Sequence, residues 1–179
     1  MNKNKIFKYQ IFSIIFVFIL GTLLHFTYRW SDGNKIIALF SSVNESTWEH
    51  LKLIYFPMLI TTIIGYFYLA KTYPNFLCAK TIGIIVAVSF TVIFFYTYTG
   101  IIGKNIEIID VLTFYISVFI GEYIFYIFIK NKFKCNDKYS IIVLMFFFIS
   151  FIIFTYKTPN LGIFKDPITK KFRNINFKY

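Results

Sequence analysis

The stretch "YQIFSIIFVFILGTLLHFTY", residues 9–28, decides the fold class, because it runs its whole length without one Asp, Glu, Lys or Arg. An α-helix of about 20 residues rises about 30 Å, the thickness of a bilayer's hydrocarbon core. Ahead of it, "MNKNKIFK" resembles the basic start of a signal peptide. The apolar run is longer than a secretory core, however, and "LLHFTYRW" offers no small-residue cleavage site, so a retained first span is expected.

Four further stretches read the same way, at Leu53–Ala70, Thr81–Gly100, Asp110–Ile129 and Tyr139–Tyr156. The sequence therefore predicts an all-α polytopic membrane protein, a single integral membrane domain over 1–179 with five spans. Composition agrees. Of 179 residues, 58% are hydrophobic and 23% aromatic, and only 15% are charged, too little polar surface to cover a water-soluble globule. The abundance of Phe, Tyr, Ile, Lys and Asn is what an AT-rich bacterial genome produces, so not every aromatic ring needs a function.

A net charge of +11 raises the question of nucleic acid. The lysines lie in loops between apolar segments and form no basic stripe on a folded face, so the expected partner is a bilayer with anionic headgroups, and no nucleic acid. The same lysines set orientation. With the N-terminus inside, the cytoplasmic segments hold Lys3, Lys5, Lys8, Lys71, Lys80, Lys130, Lys132, Lys134 and Lys138, and the outer loops only Arg29, Lys35, Lys52 and Lys104. The expected location is the bacterial cytoplasmic membrane, N-terminus in and the tail 157–179 out, although that tail is itself basic. Cys78 and Cys135 form no CxxC or zinc pattern; on the cytoplasmic side they are expected to stay reduced.

Most unusual polar residues then gather at the outer face: His25 near the end of span one, "NESTWEH" (44–50) before span two, "YTGIIGKNIEIID" (98–110) between spans three and four, and "TPNLGIFKDPI" (158–168) after span five. "KIIALFSSV" (35–43) is apolar but too short to cross, and reads as an interfacial or re-entrant helix.

Much of "NESTWEH" has a purely structural explanation. Ser46-x-x-Glu49 is a capping box, Trp48 suits the interface, and Glu49 with Lys52 is an i, i+3 pair. Glu45 and His50 are less easily explained. With His25 and Glu49 they make a candidate catalytic set, and Glu45, His50 and His25 a candidate metal set, since carboxylate and imidazole together hold divalent ions or move protons. ExxxEH is not the HExxH pattern, so the motif names no particular metal and no cofactor. Glu122, deep in span four, is a proton-coupling candidate, the alternative being a protonated acid bonded to Ser89, Thr61 or Ser150. Gly83 and Ala87 in span three, and Ser117 and Gly121 in span four, are small-residue pairs suited to close helix packing within the chain.

"GTLLHFTYRWSDGNKIIALFSSVNESTWEHLKLIYFPML", "YTYTGIIGKN" and "FKDPITKKF" together resemble an uncharacterised family of small bacterial multipass membrane proteins, a domain of unknown function. The resemblance marks His25, Asn44, Glu45, Ser46, Trp48, Glu49, His50, Lys52, Gly100, Gly103, Asp166 and Pro167. The chain departs from it at Arg29, where an acidic residue is expected, and after Thr169, where "KKF" replaces a glycine-containing turn. The resemblance implies no activity, substrate or cofactor. The sequence supports a membrane protein with an outward-facing polar pocket; a membrane-embedded hydrolase or transferase acting on a lipid or envelope substrate, and a small proton-coupled transporter using Glu122, are the alternatives. Against the transporter, the chain has no pair of broken helices and no inverted repeat.

Overall fold

The computed structural model describes residues 3–132 and 135–172. Six α-helices follow in order, α1 (Lys3–Trp30), α2 (Lys35–Ala38), α3 (Thr47–Leu69), α4 (Phe76–Ile102), α5 (Glu107–Lys130) and α6 (Asp137–Tyr156), with a 3₁₀ turn at Gly162–Phe164 and no strand among the described residues. All but α2 are long and apolar enough to cross a bilayer. Each exceeds its expected span, because helices continue past the hydrocarbon until a cap stops them. For α3 that cap is Ser46, whose hydroxyl accepts from the Glu49 amide, so the helix begins six residues before the apolar run does.

Successive spans alternate in direction, giving the molecule two ends. One carries the α1 N-terminus and the α3–α4 and α5–α6 connections. The other carries α2, the α4–α5 loop and the tail. The segment 35–43 contains a helix of only four residues; its Ile36 is exposed and its Ala38 buried, and the chain after it folds back along the end of α1.

Close packing follows the small residues. A Cβ on Gly121 would lie 2.6 Å from the Gly83 carbonyl oxygen and 2.9 Å from the Ala87 Cβ, so α4 and α5 touch along the faces the sequence marks. One turn along, the Thr91 hydroxyl donates to Ser117 (2.7 Å). Gly21 gives α1 the same close approach to α3, at the Leu53 carbonyl (2.6 Å). That is the carbonyl four residues before Pro57, which has no N–H to offer it.

Two lysines leave the loops in which the sequence places them. Lys80 lies in α4 and is fully buried, with its Nζ 2.5 Å from Glu122 and 2.9 Å from the Ser13 hydroxyl, which in turn donates to Glu122 (2.7 Å). Thr61 stands 3.0 Å from the same hydroxyl. The partner of Glu122 is therefore a buried cation instead of the neutral hydroxyls of Ser89 or Ser150. Lys52 is also fully buried, against Glu49 at 2.6 Å. In the absence of water an ammonium must find a carboxylate, and hydropathy windows that end a span at the first lysine miss such pairs.

The cysteine expectation is corrected too. Cys78 and Cys135 are joined in a disulfide, their Cα atoms 6.2 Å apart. Cys78 opens α4 and Cys135 precedes α6, and although 57 residues separate them in sequence, both sit at the end that carries the α1 N-terminus. The span count already puts both at this end; the expectation that fails is that they stay reduced. Of the basic residues assigned to that end, Lys134 and the side chain of Lys3 lie outside the described residues.

Two stability measurements test the packing. Gly121→Val forces α4 from α5 and is expected to cost about 1–3 kcal/mol in denaturant unfolding of the detergent-solubilised protein; an unchanged midpoint would contradict the contact. Glu122→Gln leaves the Lys80 ammonium buried without its counter-ion and is expected to cost about 3–5 kcal/mol, whereas the double variant Lys80→Met, Glu122→Leu recovers much of that loss. Additive losses in the double variant would show that the two side chains do not act as a pair.

Candidate functional site

At the α2 end, α1 stops at Trp30 and the chain reverses through Asp32 and Gly33, both with positive φ (52° and 79°). Asn34 caps α2 by accepting from the Ile36 amide (2.9 Å). The returning strand of chain, 39–46, is then sewn to α1 and α3 by polar contacts. Ser41 accepts from the Tyr28 amide (3.0 Å) and donates to the Leu24 carbonyl. Lys52 Nζ donates to the Ala38 carbonyl at the end of α2 (2.8 Å) and to Thr155 of α6 (3.1 Å). Glu49, its ion-pair partner, accepts from the Val43 amide (3.0 Å).

That wiring separates the four candidate residues. Glu49 is 3% exposed and both its bonds are structural, so its carboxylate does not join the other three. The reciprocal half of the capping box is also absent, since the Ser46 amide donates to Asn44 (2.9 Å) instead of to Glu49. His25, Glu45 and His50 do come together. His25 Nε2 lies 3.9 Å from one Glu45 oxygen and His50 Nε2 lies 3.3 Å from the other, and the two imidazoles stack with centroids 5.3 Å apart. One ligand atom from each residue falls within 4.8 Å of the other two.

The far side of each ring is fixed. His50 Nδ1 lies 3.0 Å from the Ser46 carbonyl, to which it donates. Ser42 spends its hydroxyl proton on the His25 carbonyl (3.3 Å), leaving its oxygen to accept from His25 Nδ1 at 3.2 Å. Both rings therefore turn Nε2 toward Glu45, the arrangement by which metal-binding histidines are held in orientation and tautomer. The hydrogen bond from His50 holds the Glu45 carboxyl below the usual carboxylate range, against the opposing effect of burial. All three side chains are about one-third exposed, so they are reachable from outside.

Beside them lies a cleft of about 380 Å³ whose walls include His25, Tyr28, Arg29, Asp32, Glu45 and Asp166. Asp166 reaches it from the tail. One of its oxygens accepts from the Ile168 and Thr169 amides (2.8 and 2.9 Å) and the other faces the Glu45 amide at 3.5 Å. Trp48 holds the tail there: its ring packs on Phe151 and Phe164 (4.8 and 4.9 Å), and its Nε1 is buried without a hydrogen-bond partner among the described residues.

Other marked residues lie elsewhere. Glu122 sits with Ser13, twelve residues before His25 on α1 and so about 18 Å away along the helix. Gly100 and Gly103 have open space around them. Tyr98 hydrogen-bonds to Asp110, a carboxylate near enough to act on the charge of His50. Ser42, Asp110 and Arg29 are the contributors that the sequence reading leaves out of its candidate site. His25 and Arg29 stand at i and i+4, so a helical wheel alone puts them on one face.

No curated protein and no solved structure matches the chain. A family model does match, over residues 1–173, consistent with the resemblance to an uncharacterised domain-of-unknown-function family. The chain belongs to DUF6512, a family of unknown function.

Proposed function

We propose that the chain is an integral membrane protein with an outward-facing site in which His25, Glu45 and His50 hold a divalent ion of the zinc class, and that it acts as a hydrolase or transferase on a lipid or envelope substrate admitted through the adjoining cleft. The observation that carries this reading is the convergence of two oriented imidazoles and a carboxylate, from three separate segments, within 4.8 Å of one another. Two histidines and one carboxylate leave coordination positions open, which lets a dication activate water and polarise an ester oxygen. In hydrolysis the water oxygen bonds to the electrophilic centre, the bond to the leaving oxygen breaks, and the proton lost by water is returned to that oxygen.

Two features bear on which way the site faces. Lys5, Lys8, Lys71, Lys130, Lys132 and Lys138 at the opposite end outnumber Arg29, Lys35 and Lys104 in the loops at the cleft end and favour an outward cleft, whereas Lys157, Lys165, Lys170 and Lys171 of the tail, at the cleft end, weigh against it. The disulfide at the lysine-rich end pulls the other way, because disulfides persist in oxidising compartments. The loop charges take precedence, because short loops are translocated more strictly than a tail and their charges act during insertion, before the thiols of α4 and the α5–α6 connection can meet.

Metal analysis of the full chain purified in detergent tests the reading. About one zinc-class ion per chain is expected, with affinity lowered by about tenfold or more in His25→Ala, Glu45→Gln and His50→Ala. A chain that takes up no divalent ion, or a triple variant that binds as tightly as the unaltered protein, would sink it.

A further inference from the structure

Apart from the His25–Glu45–His50 set, the cleft walls contain two charged groups that no other described residue pairs with, Arg29 and Asp32, and Arg29 is the cation of the two. The Asp166 carboxylate is taken up by backbone amides, Ser42 by His25, and the Asn44 side-chain oxygen by the Ser46 amide. Arg29 is different. It lies one helical turn beyond His25 on the same face of α1, lines the cleft, and among the described residues its guanidinium has no hydrogen-bond or ion-pair partner. Its charge is close enough to be felt by both His25 and Glu45.

From this juxtaposition of a free guanidinium with the His25–Glu45–His50 set across one cleft, we infer that the substrate is a phosphate ester, bound by Arg29 on one oxygen edge and by the site's dication on another. The inference rests on the metal reading above and narrows it. A guanidinium presents its donors as a planar fork matched to a pair of anionic oxygens. A tetrahedral phosphate keeps further oxygens pointing away from that fork, so one group satisfies two cationic centres on different sides. Depth favours a lipid-borne ester. Trp30 is 64% exposed and stacks on Phe26, and Ile36 of α2 is 69% exposed, so the turns that frame the cleft carry the aromatic and apolar surface that sits at headgroup level. An ester anchored by an acyl chain would present its phosphate at that height.

The test uses the full chain loaded with cobalt(II) in maltoside micelles, which contain no phosphate. The visible cobalt absorption reports entry of a ligand into the coordination sphere. Inorganic phosphate, glycerol 3-phosphate and phosphatidic acid in mixed micelles are titrated separately, with acetate as the comparison anion. Phosphate probes are expected to shift the absorption saturably. In Arg29→Gln the half-saturating concentration is expected to rise by about tenfold or more, with Arg29→Lys between the two. Phosphatidic acid acting at lower concentration than glycerol 3-phosphate assigns the ester to lipid, and the reverse order assigns it to a soluble compound. An unaltered cobalt spectrum in Arg29→Gln before titration shows that the site itself is intact. If cobalt binds but phosphate leaves the spectrum unchanged, or acetate matches it, or Arg29→Gln responds like the unaltered protein, this inference is overturned while the metal site stands. If no cobalt binds, both fall.

Discussion

The cleft end of the molecule depends on an ammonium group that has left water. Lys52 projects from the second turn of α3 into a space with no solvent, where its Nζ meets the Glu49 carboxylate, the last carbonyl of α2 and the Thr155 hydroxyl of α6. Three donors on one nitrogen thus join α2, α3 and α6. Its counter-ion extends the network, because Glu49 also accepts from Val43 and so fixes the chain that leads to Glu45. Desolvating this pair is costly, and only a near-complete set of partners offsets the cost.

That constraint explains which parts of the architecture were legible in the sequence. Five spans and a short extra helix follow from runs of apolar residues whose length the bilayer sets, and Gly83 with Gly121 marked the α4–α5 contact through the absence of side chains. The Ser46 cap was readable because capping is local. What failed was non-local. Glu122 was visible as a buried acid, but its partner Lys80 had been assigned to a loop by the hydropathy that ended its span. The span count put Cys78 and Cys135 at one end of the bundle, but as reduced thiols, and they are joined. At the site, Glu45, His50 and His25 stood out as residues that capping and interface anchoring left unexplained, and they do meet. Glu49 was grouped with them by proximity in sequence, yet a 100° step around the helix turns it from His50 toward Lys52.

Two buried charge pairs serve the two ends differently. Lys80 and Glu122, with Ser13 between α1, α4 and α5, lock the body of the bundle and leave one Glu122 oxygen without a partner among the described residues. Lys52 and Glu49 organise the loop that brings Glu45 to the two partly exposed histidines. Around those histidines the supporting contacts run to backbone and hydroxyl groups, Ser46 and Ser42, which fix ring orientation without neutralising charge. Acids and bases paired in the interior thereby leave three titratable groups, His25, Glu45 and His50, partly exposed beside the cleft.

The tail has a practical consequence for locating the site in a cell. Because Phe164 packs on Trp48 and Asp166 on the Glu45 amide, the chain after α6 is held at the cleft, and its bridge between Lys165 and Phe172 keeps it there almost to the C-terminus. A reporter enzyme fused after Tyr179 therefore occupies the compartment onto which the cleft opens, and its activity reads the address of the site directly.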